Sequence, residues 1–260
     1  RRNAGGNELP NLIIEDWPDL GYRGLMLDIS RNFTTKDNIL KLIDVLAHYK
    51  VSVFHLHFGD DEGWRLEISK FPELTTYGAR HAFPQKNAEG EYVENECLMP
   101  SYNGSVDPYD ISSTANGHLT KEDYIEILKY VWERRIKVIP EFDTPGHSRA
   151  AIKAMEAYAR RTGDESYLLS DPEDKSEYMS VQYYRDNALN VALPSTYRFI
   201  ETVFDEIIAY HKEAGVPLPA IHIGGDEVPG GAWTGSPACQ KIMQERGWDN
   251  IELLKSYYIE

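Results

Sequence analysis

The sequence predicts an α/β protein built on a parallel sheet. Three observations carry that expectation. Short β-branched and aromatic runs alternate with stretches whose apolar residues recur at helical spacing. That alternation implies parallel strands joined by right-handed crossovers. The 260 residues are 42% hydrophobic, enough for one sizeable core.

Residues 1–20 read as a polar leading segment with Gly5, Gly6, Pro10 and Pro18. YRGLMLDI (22–29) is a short apolar run suited to a buried strand. Thr34 and Asp37 suggest a capping box, behind which Ile39, Leu42, Ile43 and Leu46 recur on one helical face. VSVFHLHF (51–58) is the second strand. Thr120 with Asp123 suggests another capping box, followed by Tyr124, Ile127, Leu128 and Val131. IKVIPEF (136–142) is the third strand, and a helix carrying Ala150, Ala151, Ala154 and Met155 is expected after Pro145. Pro194 suits the first turn of a further helix, with Tyr197, Ile200, Phe204, Ile207 and Ile208 on one face and Gly215 as its stop. AIHIGG (220–225) is the fourth strand, and a polar helical stretch closes the chain over about 237–260. Two connections, 76–118 and 163–190, are long enough to suggest function rather than packing.

The formal charge of −15 argues against nucleic acid and anionic membrane as partners, because both repel an acidic surface. No apolar run approaches the roughly 18–20 residues needed to span a bilayer. The N-terminus lacks the apolar stretch of a signal peptide. Cys97 and Cys239 are the only cysteines, too few for a disulfide scaffold and too far apart for a CxxC site.

Polar residues concentrate where the expected strands end. Asp28 and Arg31 follow the first, Asp60, Asp61 and Glu62 the second, Glu141, Asp143 and His147 the third, Asp226 and Glu227 the fourth. In a parallel sheet all strand C-termini lie on one face, so these groups converge there. Single acidic clusters also cap helices, since carboxylates suit helix N-termini. Four such clusters in succession favour a site. In HIGGDEV (222–228) the glycine pair permits a sharp turn, so that Asp226 and Glu227 can both face the same cleft. One acid can then donate a proton while its neighbour stays ionised. Arg23, inside an apolar strand, needs either a core carboxylate or a ligand. His55 and His57 point the same way and leave open a metal site built from His55, His57, His147 or His222 with Asp226.

RGLMLDISRNF (23–33), HLHFGDDEGWRLEI (55–68), EFDTPGHSRA (141–150) and HIGGDEV (222–228), in this order, resemble the family 20 glycoside hydrolases, the β-N-acetylhexosaminidases. The resemblance implies a (β/α)₈ barrel of the TIM type, of which this chain supplies about the first four βα units. Residues 21–260 would be the N-terminal half of that catalytic domain, and two open sheet edges would favour self-association. It implies a retaining reaction without metal or cofactor, in which the substrate's 2-acetamido oxygen attacks the anomeric carbon. Carried onto this chain, Glu227 is the acid and base, and Asp226 orients the acetamido group. Arg23 grips sugar hydroxyls, Asp60 and His147 sit behind the acid, and Asp143 supports the same network. Trp64 is structural. The implied partner is a glycan ending in N-acetylhexosamine, and the implied setting is exported or lysosomal. The family's later blocks, which wall the sugar pocket, do not occur in these residues, so little activity is expected of the chain alone; a non-catalytic carbohydrate-binding role is the other expectation.

Overall fold

A computed structural model describes residues 11, 13–83, 85–93, 97–98 and 107–260. Most of the leading segment, residues 1–10 and 12, lies outside them. The chain folds as a mixed α/β unit around β2 (Val53–Asp60), which is buried along nearly its whole length. β1 (Gly24–Asp28) pairs with it in parallel on one side, and the later strand β6 (Lys137–Phe142) pairs in parallel on the other. A strand enclosed on both faces is necessarily apolar almost throughout, as VFHLHF is. β3 (Gly63–Trp64) turns back antiparallel on the end of β2.

Helix α1 (Lys36–His48) buries Ile39, Ile43 and Leu46. Its N-cap is Thr35, without a side-chain cap bond, so the box expected from Thr34 and Asp37 does not form. Thr34 instead takes a bond from the Asn38 side chain, and Asp37 falls in the first turn, where a negative charge suits the helix dipole. After α2 (Glu73–Thr76) come two short antiparallel strands, β4 (Gln85–Lys86) and β5 (Tyr92–Val93), within the long 76–118 connection. α3 (Lys121–Glu133) starts with the expected capping box between Thr120 and Asp123. α4 (Arg149–Thr162) begins four residues beyond Pro145. α5 (Pro194–Ala214) has Pro194 in its first turn and ends at Gly215, whose φ of 70° is left-handed. α6 (Pro237–Arg246) and α7 (Leu253–Ile259) divide the last stretch at Gly247.

The expected fourth strand is reduced to one parallel bridge between His222 and Glu141. His222 donates its N–H to Pro140 and accepts from Phe142, and Ile223 accepts from Thr144. The glycine pair then turns the chain away, with φ of 69° at Gly224 and 102° at Gly225. The register places Asp28, His57, Glu141 and His222 abreast across the sheet, so a polar row crosses an apolar core. Behind that row Phe142 stacks on Trp64 at 4.8 Å and on Phe58 at 5.6 Å. No described helix is long and apolar enough to cross a membrane. Cys97 and Cys239 are both buried and free.

Candidate active site

The polar row leads into a chain of charges at the strand C-termini. Glu141, in β6, lies 2.7 Å from His222 Nδ1 on one oxygen and meets His55 Nε2 at 2.8 Å and His57 Nδ1 at 2.9 Å on the other. The other nitrogen of His57 lies 2.9 Å from Asp60, the last residue of β2. An imidazole held between two carboxylate oxygens donates from both nitrogens and is therefore charged. Burial opposes that charge, but the bonds to Asp60 and Glu141 overcome it and push His57 up to about 10. Asp60 is correspondingly held down to about 2: burial works against ionisation, and His147, His57 and the Arg31 guanidinium outweigh it.

His147 continues the line. Its Nδ1 lies 3.3 Å from Asp60 and 3.4 Å from Asp61, and its Nε2 lies 3.2 Å from Glu227. These are close charge contacts whose angles fall outside hydrogen-bonding geometry. Burial disfavours the cation, yet Asp60 and Asp61 raise His147 to about 11. Asp61 is itself fixed by Asn187 at 2.8 Å and by the Arg149 backbone N–H at 3.0 Å. Glu227 also accepts from the Gln182 side chain at 3.2 Å. Both His147 (φ 50°) and Glu227 (φ 46°) adopt left-handed backbone, which costs about 1–3 kcal/mol per non-glycine residue and persists where the surroundings enforce it.

The glycine turn places the acid pair. A Cβ at Gly224 would sit 1.8 Å from an Asp143 oxygen, so no side chain fits there. Gly225 donates its N–H to that oxygen at 3.2 Å. Burial, then the carboxylates of Asp226 and Asp60, push Asp143 up to about 8. A carboxylate oxygen of Asp226, one of Glu227 and a nitrogen of His147 all lie within 4.8 Å of one another, so the adjacent acids meet at one imidazole.

Five of the six residues singled out from the sequence therefore assemble: Asp60, Asp143, His147, Asp226 and Glu227. Arg23 does not. It precedes β1, about 16 Å of extended chain from the Asp28 end. Its guanidinium donates to the backbone carbonyls of Leu20 at 2.6 Å and Lys50 at 2.8 Å. The arginine at the site is Arg31, paired with Asp60 at 2.8 Å, Asp28 at 2.9 Å and Glu62 at 3.2 Å. Its position after a strand end was the available signal. Glu141 and Asp61 carried the same signal; Gln182, in a long loop, carried none. Trp64 is buried and stacked, as expected of a structural residue.

For the histidine–metal alternative, His147 lies with Asp226 and Glu227, and His55 and His222 converge instead with Glu141, each set close enough to share an ion. The carboxylates around His57 and His147 favour their charged forms, so a metal at either imidazole would compete with a proton.

A carboxylate beside a buried imidazole that is backed by a second carboxylate is an arrangement able to hold and move a proton, here on an α/β fold. The chain belongs to glycosyl hydrolase family 20, whose catalytic-domain model matches residues 20–260. It is 42% identical to a β-hexosaminidase of Vibrio vulnificus, over 98% of this chain and 30% of that protein. It is 43% identical to an N,N′-diacetylchitobiase of Vibrio harveyi, over 86% of this chain and 25% of that protein. The fold superposes on a GH20 exo-β-N-acetylglucosaminidase of Vibrio harveyi, crystallised with N-acetylglucosamine, with a TM-score of 0.77 at 38% identity. That match covers 94% of this chain and 33% of the other. The chain thus spans about a third of the length of such relatives.

Proposed function

We propose that this chain carries the acid–base centre of an exo-acting, retaining β-N-acetylhexosaminidase that releases terminal β-linked N-acetylglucosamine or N-acetylgalactosamine. The observation that carries the reading is the line Glu227–His147–Asp60 with Asp226 beside it. Glu227 protonates the leaving glycosidic oxygen and later takes a proton from the attacking water. The 2-acetamido oxygen of the substrate bonds to the anomeric carbon as the leaving bond breaks, giving an oxazolinium ion that water reopens. Holding the nucleophile inside the substrate supplies its effective concentration, so the enzyme needs one acid/base and one polariser. Asp226 is that polariser, accepting from the acetamido N–H as positive charge develops there. His147, kept cationic by Asp60 and Asp61, sets a positive charge 3.2 Å from the Glu227 carboxylate once its proton has left. Asp143, neutral below about pH 8, spares Asp226 a third nearby negative charge. Arg31 takes the hydroxyl-gripping role in place of Arg23, its guanidinium being held at the site by three carboxylates.

The parallel strands β1, β2 and β6 and the bridge at His222 are read here as successive staves of a (β/α)₈ barrel, about four βα units of it. The TM-score with the family 20 enzyme supports that reading. In the protein that carries this chain, Glu227→Gln should lower kcat on an aryl N-acetyl-β-glucosaminide by about 10²–10⁴. Asp226→Asn should lose most of kcat while substrate still binds, and activity should survive dialysis against EDTA. Wild-type rates in either variant would sink the assignment. Activity lost to EDTA and restored by zinc would move the chemistry to His55, Glu141 and His222.

A further inference from the structure

We propose that the cavity walled by Arg80, Arg160, Tyr77 and Tyr109 is a second ligand site, which binds an anionic saccharide. The cavity measures about 510 Å³, within the 300–1,000 Å³ range of small-molecule sites. It lies between α2 and the C-terminal half of α4. Arg160 is eleven residues beyond Arg149, the residue of α4 that meets Asp61, or roughly 17 Å along the helix axis. The cavity is therefore remote from the strand-end carboxylates, and the proposal is independent of the catalytic reading.

Two features select the ligand. The first is charge. The chain carries −15 overall, yet this wall holds Arg80, Arg160 and Arg161 against the single acid Glu73. Glu73 is paired to Arg161, which leaves Arg80 and Arg160 without a carboxylate partner among the described residues. Arg160 and Arg161 also suit the C-terminal end of the α4 dipole, but the dipole accounts for neither Arg80 nor the cavity. The second is aromatic surface. The Arg80 guanidinium lies 4.2 Å from the Tyr109 ring centroid, and Arg160 lies 6.0 Å from that of Tyr77. Tyr109 is 61% exposed, so ring surface remains open to a sugar face. A bare anion satisfies the arginines but leaves the ring surface unused. A sugar acid meets both, with its carboxylate on Arg80 and Arg160 and its ring face on Tyr109.

Calorimetry on the full-length protein tests this with glucuronate as probe, glucose as the neutral control and acetate as the anion control. None of the three carries an acetamido group. Glucuronate should bind at least tenfold more tightly than either control. The Arg80→Gln/Arg160→Gln double variant should lose that affinity at least tenfold, and Tyr109→Ala, an exposed change, should weaken it as well. Glu227→Gln should leave it unchanged. Glucuronate binding no tighter than acetate or glucose would overturn the proposal, as would wild-type affinity in either the double variant or Tyr109→Ala.

Discussion

His147 and Glu227 face each other across 3.2 Å, each in left-handed backbone. Residues held in that way mark places where geometry is enforced against local preference. What they share is a proton environment set by neighbours. Asp60 and Asp143 have the same side chain but opposite settings, one at about 2 and the other at about 8. Asp60 has two imidazoles and a guanidinium around it, whereas burial and two carboxylates act on Asp143. The sign of the pH effect follows. Below about pH 8 Asp143 keeps its proton; above it, a new negative charge appears beside Asp226. We expect kcat/KM of the wild type to fall as pH rises through about 8, and Asp143→Asn, which stays neutral, to hold its rate to higher pH. Identical alkaline limbs in the two profiles would assign that fall elsewhere. The two arginines give a second residue-scale contrast. Arg31→Lys removes a planar fork held by three carboxylates and should raise KM at least tenfold. Arg23→Lys alters contacts to backbone carbonyls at the opposite strand end and should leave KM unchanged. Steady-state kinetics on the two variants decides between them.

At the scale of elements, two helix starts that look alike in sequence behave differently. Thr120 accepts the Asp123 N–H at 3.1 Å, and the Asp123 side chain accepts the Thr120 N–H at 3.1 Å. Asp123 also pairs with Lys36 of α1 at 2.9 Å, so the cap of α3 joins two helices. Thr34 stands one position too early to cap α1. Thr120→Ala should therefore cost about 1 kcal/mol in chemical denaturation, and Thr34→Ala less than about 0.5 kcal/mol. Equal losses would contradict the capping geometry. Another element-scale device is Arg65, fully buried, which donates to the carbonyls of Ser30, Ala79 and Gly117. It ties the segment after β1, where Arg31 sits, to both ends of the long 76–118 connection.

For the whole molecule, the decisive feature is the free side of β1. That strand pairs only with β2 among the described residues, and Leu25 and Met26 stand partly exposed on it. Trp17, Leu20 and Tyr22 are exposed in the segment before it. An unpaired strand edge beside apolar side chains is a template for association. The 260-residue chain by itself should scatter light above its monomer mass, and Met26→Lys should shift it toward monomer. A monodisperse wild-type monomer would refute this.

Periodicity and strand-end chemistry were legible in the residues alone, because a buried strand must be apolar and a helix must show a stripe. They determined the α/β class, the order of three strands, the faces of α1, α3 and α4, and the five carboxylate and imidazole residues that meet at the strand ends; the face expected for α5 was displaced, the helix burying Phe199, Val203, Ile207 and Tyr210 while Ile208 stands exposed. Tertiary structure alone decided the rest. Arg23 and Arg31 are both arginines beside the same strand, and only folding tells which end each occupies and which groups surround it. The fourth strand shrank to a bridge because pairing is a property of neighbours in space. The environments that drive Asp60 down and Asp143 up, and that charge His57 and His147, come from groups brought together across the sheet by register, a relation between distant segments that no local pattern encodes.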